Sequence, residues 1–208
     1  MRFVAISDSH GQHRKISLPE GDVILHAGDV SGRGTEPQIV DFINWFSGLN
    51  YRYKVFIAGN HDFFLESESS VRIQSLIPDN VIYLNDSGVQ IENINIWGSP
   101  IQPWFHDWAF NRRRGADIKR HWDLIPNDTD ILITHGPVKG ILDRTVYGQE
   151  VGCADLLDAV KRVNPAFHVC GHIHEAYGEQ TSGQTNFINC SVLNADYFLV
   201  NSPIVFDL

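Results

Sequence analysis

A chain of 208 residues, 43% hydrophobic and 11% aromatic, is long enough for one sizeable core, and it reads as a single domain over residues 1–208. Its formal net charge of −9 argues against a protein that grips duplex nucleic acid, because neutralising many phosphates takes a basic face. No apolar run approaches the roughly 18 residues of a membrane span, and "MRFVAISDSHG" turns polar by Ser7 with no cleavage site behind it. A soluble, cytoplasmic protein acting on a small partner is expected, with its oligomeric state open. Cys153, Cys170 and Cys190 are odd in number and in no ligand spacing, so reduced, mostly buried thiols are expected.

In chain order, short runs rich in Val, Ile, Leu and Phe without helical period predict buried strands at 2–7, 22–27 and 53–58. Between the last two, "EPQIVDFINWFSGL" sets Ile39, Phe42, Ile43 and Phe46 on one helical face, with Thr35 as N-cap and Pro37 in the first turn. Strands follow at 80–84, 88–98 and 130–134, then a helix over "CADLLDAVKRV" that buries Leu156, Leu157, Val160 and Val163 and stops before Pro165. Two more strands are expected at 167–170 and 186–192. Helices alternating with strands in the outer parts, and strand following strand in the middle, predict a layered α/β sandwich of mixed sheets.

Residues 99–127 stand apart, with three of the five tryptophans, the run "RRR" and a helical turn near Asp117 to Trp122. A segment this long is functional or disordered, and its aromatic content argues against disorder. Trp104, Phe105, Trp108 and Phe110 either stack a nucleobase or plug the segment onto the body, and Arg112 to Arg114 either meet phosphate or form a solvated charge run.

The chemistry-bearing residues fall at strand ends. "DSH" (Asp8, His10) follows the first strand, "GD" (Asp29) the second, "GNHD" (Asn60, His61, Asp62) the third, His135 the run at 130–134 and "GHIH" (His172, His174) the run ending at Cys170. In an α/β sheet the carboxyl ends gather along one edge, where ligand crevices form. Asp8 with His10, and His172 with His174, are two residues apart and point the same way in extended backbone. Glycines at 11, 28, 59, 136 and 171 flank these clusters, as expected where backbone turns sharply or packs closely. Seven groups (Asp8, His10, Asp29, Asn60, His135, His172, His174) exceed one ion's needs and suit two divalent ions sharing a carboxylate. Nitrogen and oxygen donors without thiolate favour manganese, with iron, zinc or cobalt as alternatives.

The motifs D-x-H, G-D, G-N-H-[DE], H and G-H-x-H in this order, spanning residues 8 to 174, resemble the calcineurin-like metallophosphoesterases. A narrower likeness to the metallophosphoesterase-domain (MPPED-like) phosphodiesterases rests on "ILHAGD", "GSPIQPWFHDWAFNRRRG", "DILITHGPVKGILDRT", "HVCGHIHEAYG" and the ending "NSPIVFDL". The resemblance implies a four-layer α/β/β/α sandwich of two mixed sheets and dinuclear hydrolysis of small phosphodiesters such as cyclic nucleotides. By this likeness Asp8, His10, Asp29 and His174 hold one metal, and Asp29, Asn60, His135 and His172 the other. One departure is "GDVSGRG", with Gly32 where many superfamily members carry a second aspartate, which leaves the part played by Arg33 open.

A hydroxide held between the ions is then expected to attack phosphorus, with Asn60 and His61 on the substrate. His61, left without a metal, would steady the transition state or protonate the leaving alkoxide, and Asp62 would hydrogen-bond its other ring nitrogen. His26 and His168 read as histidines hydrogen-bonded to backbone, and His13 and His121 as surface residues. Competing functions are a phosphomonoesterase, a nuclease, which the acidic total disfavours, and a non-catalytic scaffold, which the complete ligand set disfavours.

Overall fold

The computed structural model describes residues 1–208, beginning with β1 (Arg2–Ile6), β2 (Val23–Ala27), α1 (Glu36–Ser47) and β3 (Tyr53–Ile57). Short helices α2 (Phe63–Ser67) and α3 (Ser70–Leu76) lead to β4 (Ile82–Tyr83) and to the hairpin β5 (Ser87–Ile91) and β6 (Ile94–Ser99). Then come β7 (Gln102–Pro103), β8 (Asn111–Arg112), α4 (Ala116–Trp122), β9 (Ile131–Thr134), α5 (Ala154–Val163) and β10 (Phe167–Cys170). The chain closes with β11 (Gly178–Ser182), β12 (Thr185–Asn189) and β13 (Ile204–Asp207).

Two large mixed sheets result, ordered β13-β1-β2-β3-β4 and β11-β12-β10-β9-β6-β5. In the first, β1 to β4 run parallel and β13 antiparallel; in the second, β12, β10, β9 and β6 run parallel and the edge strands β5 and β11 antiparallel. Alternation along each strand sorts its side chains between two cores. Phe3, Ala5, Val23, Leu25, Val55 and Ile57 pack with Ile131, Ile133, Val169 and Ile188 between the sheets. Val4, Ile6, Ile24 and Phe56 face outward with Phe42 and Phe46 of α1, while Leu132 and Phe187 face outward with Leu156 and Val160 of α5. Each sheet is thus sandwiched between its neighbour and a helical layer, the expected four-layer order.

Helix α1 carries Pro37 in its first turn and buries Ile39, Phe42, Ile43 and Phe46 as its period requires, although Thr35 makes no side-chain cap bond. Helix α5 starts with Cys153 Sγ accepting from the Leu156 N–H and ends at Asn164 in left-handed backbone, one residue before Pro165. The three thiols are free and buried. No helix is long and apolar enough to cross a membrane.

Several expectations need correction. The run at 88–98 is a hairpin that turns at Glu92, which adopts φ 54°. The run at 186–192 leaves the sheet at Asn189, and α2, α3, β11 and β13 lie in stretches too polar or too short for a period to show. His13 is buried, its ring between Phe42 and Trp45 with Asp41 at 3.2 Å. His121 is half-buried with Nδ1 on Asp86 at 2.6 Å, so neither is a free surface residue. The arginine run is not simply solvated: Arg112 pairs with Glu66 at 3.2 Å, and Arg114 donates to the carbonyls of Gly152 and Val151.

Candidate metal centre

The carboxyl ends of β1, β2 and β3 in one sheet and of β9 and β10 in the other open onto the same point. Their junction is stitched by backbone: Ser7 N–H donates to Cys190, Val192 N–H to Ser7, Asp8 N–H to Gly28 and Gly171 N–H to His135. The chain turns abruptly as it leaves each strand, and Asp8, His10, Asp29 and His172 adopt φ of 55°, 41°, 55° and 67°. Left-handed backbone in non-glycine residues costs about 1 kcal/mol or more each and persists only where the surroundings hold it.

The strain places ligand atoms together. Asp8, His10 and His174 form one cluster, and Asp29, His135 and His172 another, each with donor atoms within 4.8 Å of one another. Asp8 Oδ1 lies 3.4 Å from His174 Nε2, and Asp29 Oδ2 lies 3.4 Å from His135 Nε2 and 3.5 Å from His10 Nε2. Asn60 Oδ1 meets His135 Nε2 at 2.9 Å. All seven predicted ligands therefore converge, with Asp29 facing both clusters. His61 forms a third group with His10 and Asp29, which places it beside the same centre.

The imidazoles are aimed by their far nitrogens. His135 Nδ1–H donates to the Ala27 carbonyl at 2.9 Å and His174 Nδ1–H to the Asn194 carbonyl at 3.0 Å, leaving each Nε2 for the cluster. Both ring nitrogens of His10 are buried without a hydrogen-bond partner, a costly state that a cation would relieve. Burial pushes the carboxyls of Asp8 and Asp29 upward, yet His174 beside Asp8 and His135 beside Asp29 outweigh it and hold both well below the usual carboxylate range. Burial also disfavours charge on His135 and His174, but Asp29 and Asp8 respectively lift them to about 9. His172, buried and facing His135, falls to about 4. So concentrated a negative potential, with orphaned imidazole nitrogen and oxygen donors and no thiolate, fits divalent cations.

The GNHD motif resolves differently from expectation. His61 Nδ1–H donates to the Gly32 carbonyl at 3.0 Å and its backbone N–H to Asp29 Oδ1 at 2.8 Å, so Asp62 is not its orienter. Asp62 points inward, accepting from the N–H groups of Gly59, Val30 and Ser31 and from Ser31 Oγ, which knots the loop after β2 to the loop after β3. Burial, with the charge of Asp29 nearby, pushes its carboxyl up to about 6. Truncating Asp62 to Ala strands three buried N–H groups and is expected to lower stability by roughly 3 kcal/mol or more, read as an earlier urea midpoint. An unchanged midpoint with reduced turnover would return Asp62 to the orienting role.

His26 and His168 bond hydroxyls rather than backbone, Nε2 of each lying 3.0 Å from Ser9 Oγ and 2.8 Å from Thr134 Oγ1. Each thereby braces a residue adjoining a ligand. In front of the cluster lies a cleft of about 620 Å³ whose lining includes His61, Trp104, Phe105, Trp108 and Arg114. The aromatic segment is divided: Phe110 is buried as a plug, Trp104 and Phe105 are exposed on the cleft wall, and His106 lies outside it. Sequence reasoning missed two contributions. The loop after β12 brings Tyr197, in left-handed backbone at φ 63°, against the rings of His10 and His174 at 4.9 and 5.1 Å. The turn at 145–150 supplies Thr145, Tyr147, Gln149 and Glu150 to the cleft. Tyr197 carries no motif, and of the turn only Thr145 falls in a stretch that carries the family likeness.

Comparison with known proteins places these features in context. The family described as calcineurin-like phosphoesterase matches residues 1–176. Metallophosphoesterase domain-containing protein 1 of Homo sapiens is 44% identical over 231 aligned residues, which cover all of this chain and 71% of the relative. A UPF0046 protein of Caenorhabditis elegans is 40% identical, covering all of this chain and 60% of that protein. Among solved structures, the phosphopantetheinyl hydrolase of Mycobacterium tuberculosis superposes with a TM-score of 0.66 at 15% identity, covering 94% of this chain and 90% of that one, a likeness of fold.

Proposed function

The chain belongs to the calcineurin-like phosphoesterase family, and on that premise we propose that it is a dinuclear phosphodiesterase acting on small phosphodiesters such as cyclic nucleotides. The observation that carries this reading is the pair of clusters facing one carboxylate, Asp29. Asp8, His10, His174 and Asp29 would hold one ion and Asp29, Asn60, His135 and His172 the other. Bound there, divalent ions, manganese first, would supply Lewis acidity and a water of lowered pKa.

The chain's own residues do the rest. Asn60 and His61 border the cleft where the phosphoryl group must sit. With His61 Nδ1–H committed to Gly32, the Nε2–H of the ring in its imidazolium form is the one left to pass to the leaving oxygen, a contribution of roughly 10²–10⁴ in rate. The exposed rings of Trp104, Phe105 and Tyr147 on the cleft wall offer stacking faces, worth roughly 1–3 kcal/mol per base.

The test is to strip the protein with chelator, restore Mn²⁺, and compare bis(p-nitrophenyl) phosphate with p-nitrophenyl phosphate. Metal-dependent turnover that favours the diester is expected. Preference for the monoester overturns the diesterase assignment. No turnover with Mn²⁺, Fe²⁺, Zn²⁺ or Co²⁺, in a protein that binds two ions, overturns catalysis altogether and leaves the scaffold.

A further inference from the structure

We infer that Trp108 is a positioning residue for His61, so that the long aromatic segment between β6 and α4 belongs to the reaction machinery and is more than a wall of the cleft. The inference rests on the reading of His61 as proton donor. The indole lies flat on the imidazole, with centroids 4.3 Å apart and planes inclined by 28°. His10 meets the same imidazole edge-on, at 4.5 Å and 83°. With Nδ1 tied to the Gly32 carbonyl, one hydrogen bond fixes one corner of the ring but leaves it free to tilt about that anchor. The indole face and the His10 edge remove that tilt.

The anchorage of Trp108 is itself firm. The next residue, Ala109, donates its N–H to the carbonyl of Asn60, the residue before His61, at 3.1 Å. Phe110 behind it is buried, and the Phe63 ring lies tilted beside the indole with centroids 5.9 Å apart. Two neighbours in the GNHD turn are thus gripped by two neighbours in the aromatic segment, one pair through backbone and one through stacked rings. A proton donor works only within about 2.6–3.2 Å of the leaving oxygen, and misplacing it by about 1 Å costs on the order of 10² in rate. Holding the imidazole plane is therefore a contribution distinct from stacking a substrate base, since it uses the face of Trp108 that His61 occupies.

A double-mutant cycle decides the matter, run with the Mn²⁺-loaded protein on two diesters that differ in leaving group. In diphenyl phosphate the phenolate leaves with difficulty and needs the proton; in bis(p-nitrophenyl) phosphate the nitrophenolate leaves more readily. Trp108→Ala is expected to lower kcat on diphenyl phosphate by roughly 10- to 100-fold, with a smaller loss on the nitrophenyl ester and little change in KM. Trp108→Phe should restore most of the loss, since a phenyl face can still stack. In a His61→Ala background Trp108→Ala should cost nothing further, as two residues acting as one unit are not additive. A readout independent of turnover is the proton NMR signal of His61 Cε1–H in the protein loaded with diamagnetic Zn²⁺, displaced upfield by the indole ring and returned in Trp108→Ala. A Trp108→Ala loss that persists in the His61→Ala background, or falls on KM alone, overturns the inference while leaving His61 as donor. Full activity in His61→Ala overturns the donor reading and this inference together.

Discussion

Replacing Asp29 with Asn is expected to reduce turnover of bis(p-nitrophenyl) phosphate by about 10³-fold or more and to cut the bound metal from two ions per chain to one or none. Asn keeps the size of the side chain and retains an oxygen to accept the His61 N–H that now bonds Oδ1 at 2.8 Å, so the turn after β3 should survive. What disappears is the buried negative charge lying 3.5 Å from His10 Nε2 and 3.4 Å from His135 Nε2, at the one side chain that faces both clusters. Charge stabilisation by metals is worth several kcal/mol, and about 4 kcal/mol is a factor of about 10³. Elemental analysis after dialysis reads the stoichiometry, and steady-state kinetics the rate. A variant that keeps two ions and a rate within tenfold would show that the two sites do not share Asp29.

Adding a single methyl group at residue 59 is expected to do almost as much harm without replacing any ligand residue. A Cβ at Gly59 would lie 2.3 Å from Asp29 Oδ1, 2.4 Å from the Asp29 amide nitrogen and 2.7 Å from His135 Cε1. None of these is the loose end of a flexible chain, so the carboxylate or the backbone beneath it must move. Gly59→Ala should lower kcat by roughly 10²-fold, the usual cost of displacing a reacting group by about 1 Å, and lower stability by roughly 1–3 kcal/mol for overpacking. Gly136→Ala is the control: its Cβ would meet only Gln102 Cβ at 3.8 Å, an ordinary contact, and activity should be unchanged. Equal rates for the two variants would mean that the centre tolerates a displaced Asp29.

The same contrast shows how far the chain could be read unaided. Asp8, His10, Asp29, Asn60, His135, His172 and His174 were legible because each follows a strand, and strand ends in α/β sheets are brought together by topology. Local pattern could not tell Gly59, packed against Asp29, from Gly136, which has room beside it, since that difference depends on residues about 30 and 75 positions away. Asp62 departs from its sequence expectation for a related reason. Its neighbour His61 suggested a partner along the chain, but a buried carboxylate is satisfied by whichever donors face it, and those come from Val30 and Ser31 across the sheet as well as from Gly59. The burial of His13 by Phe42 and Trp45 and the pairing of His121 with Asp86 are likewise tertiary events. Helix α5 is legible to within a residue because its period and the following proline agree.

The division of the centre between two sheets has a consequence for how it comes into being. Both carboxylates and Asn60 lie within the first 60 residues and belong to the first sheet, whereas His135, His172 and His174 arrive after residue 130 with the second. The backbone N–H of His172 closes on Asp8 across 164 positions of chain. Contacts so distant in sequence form late, because the entropy of closing the intervening chain is lost before any contact repays it. A chain that has formed only the parallel strands β1 to β4 therefore carries two neighbouring anions with His10 as the one candidate ligand imidazole among them. The set of candidate ligands is therefore complete only once the second sheet has docked against the first.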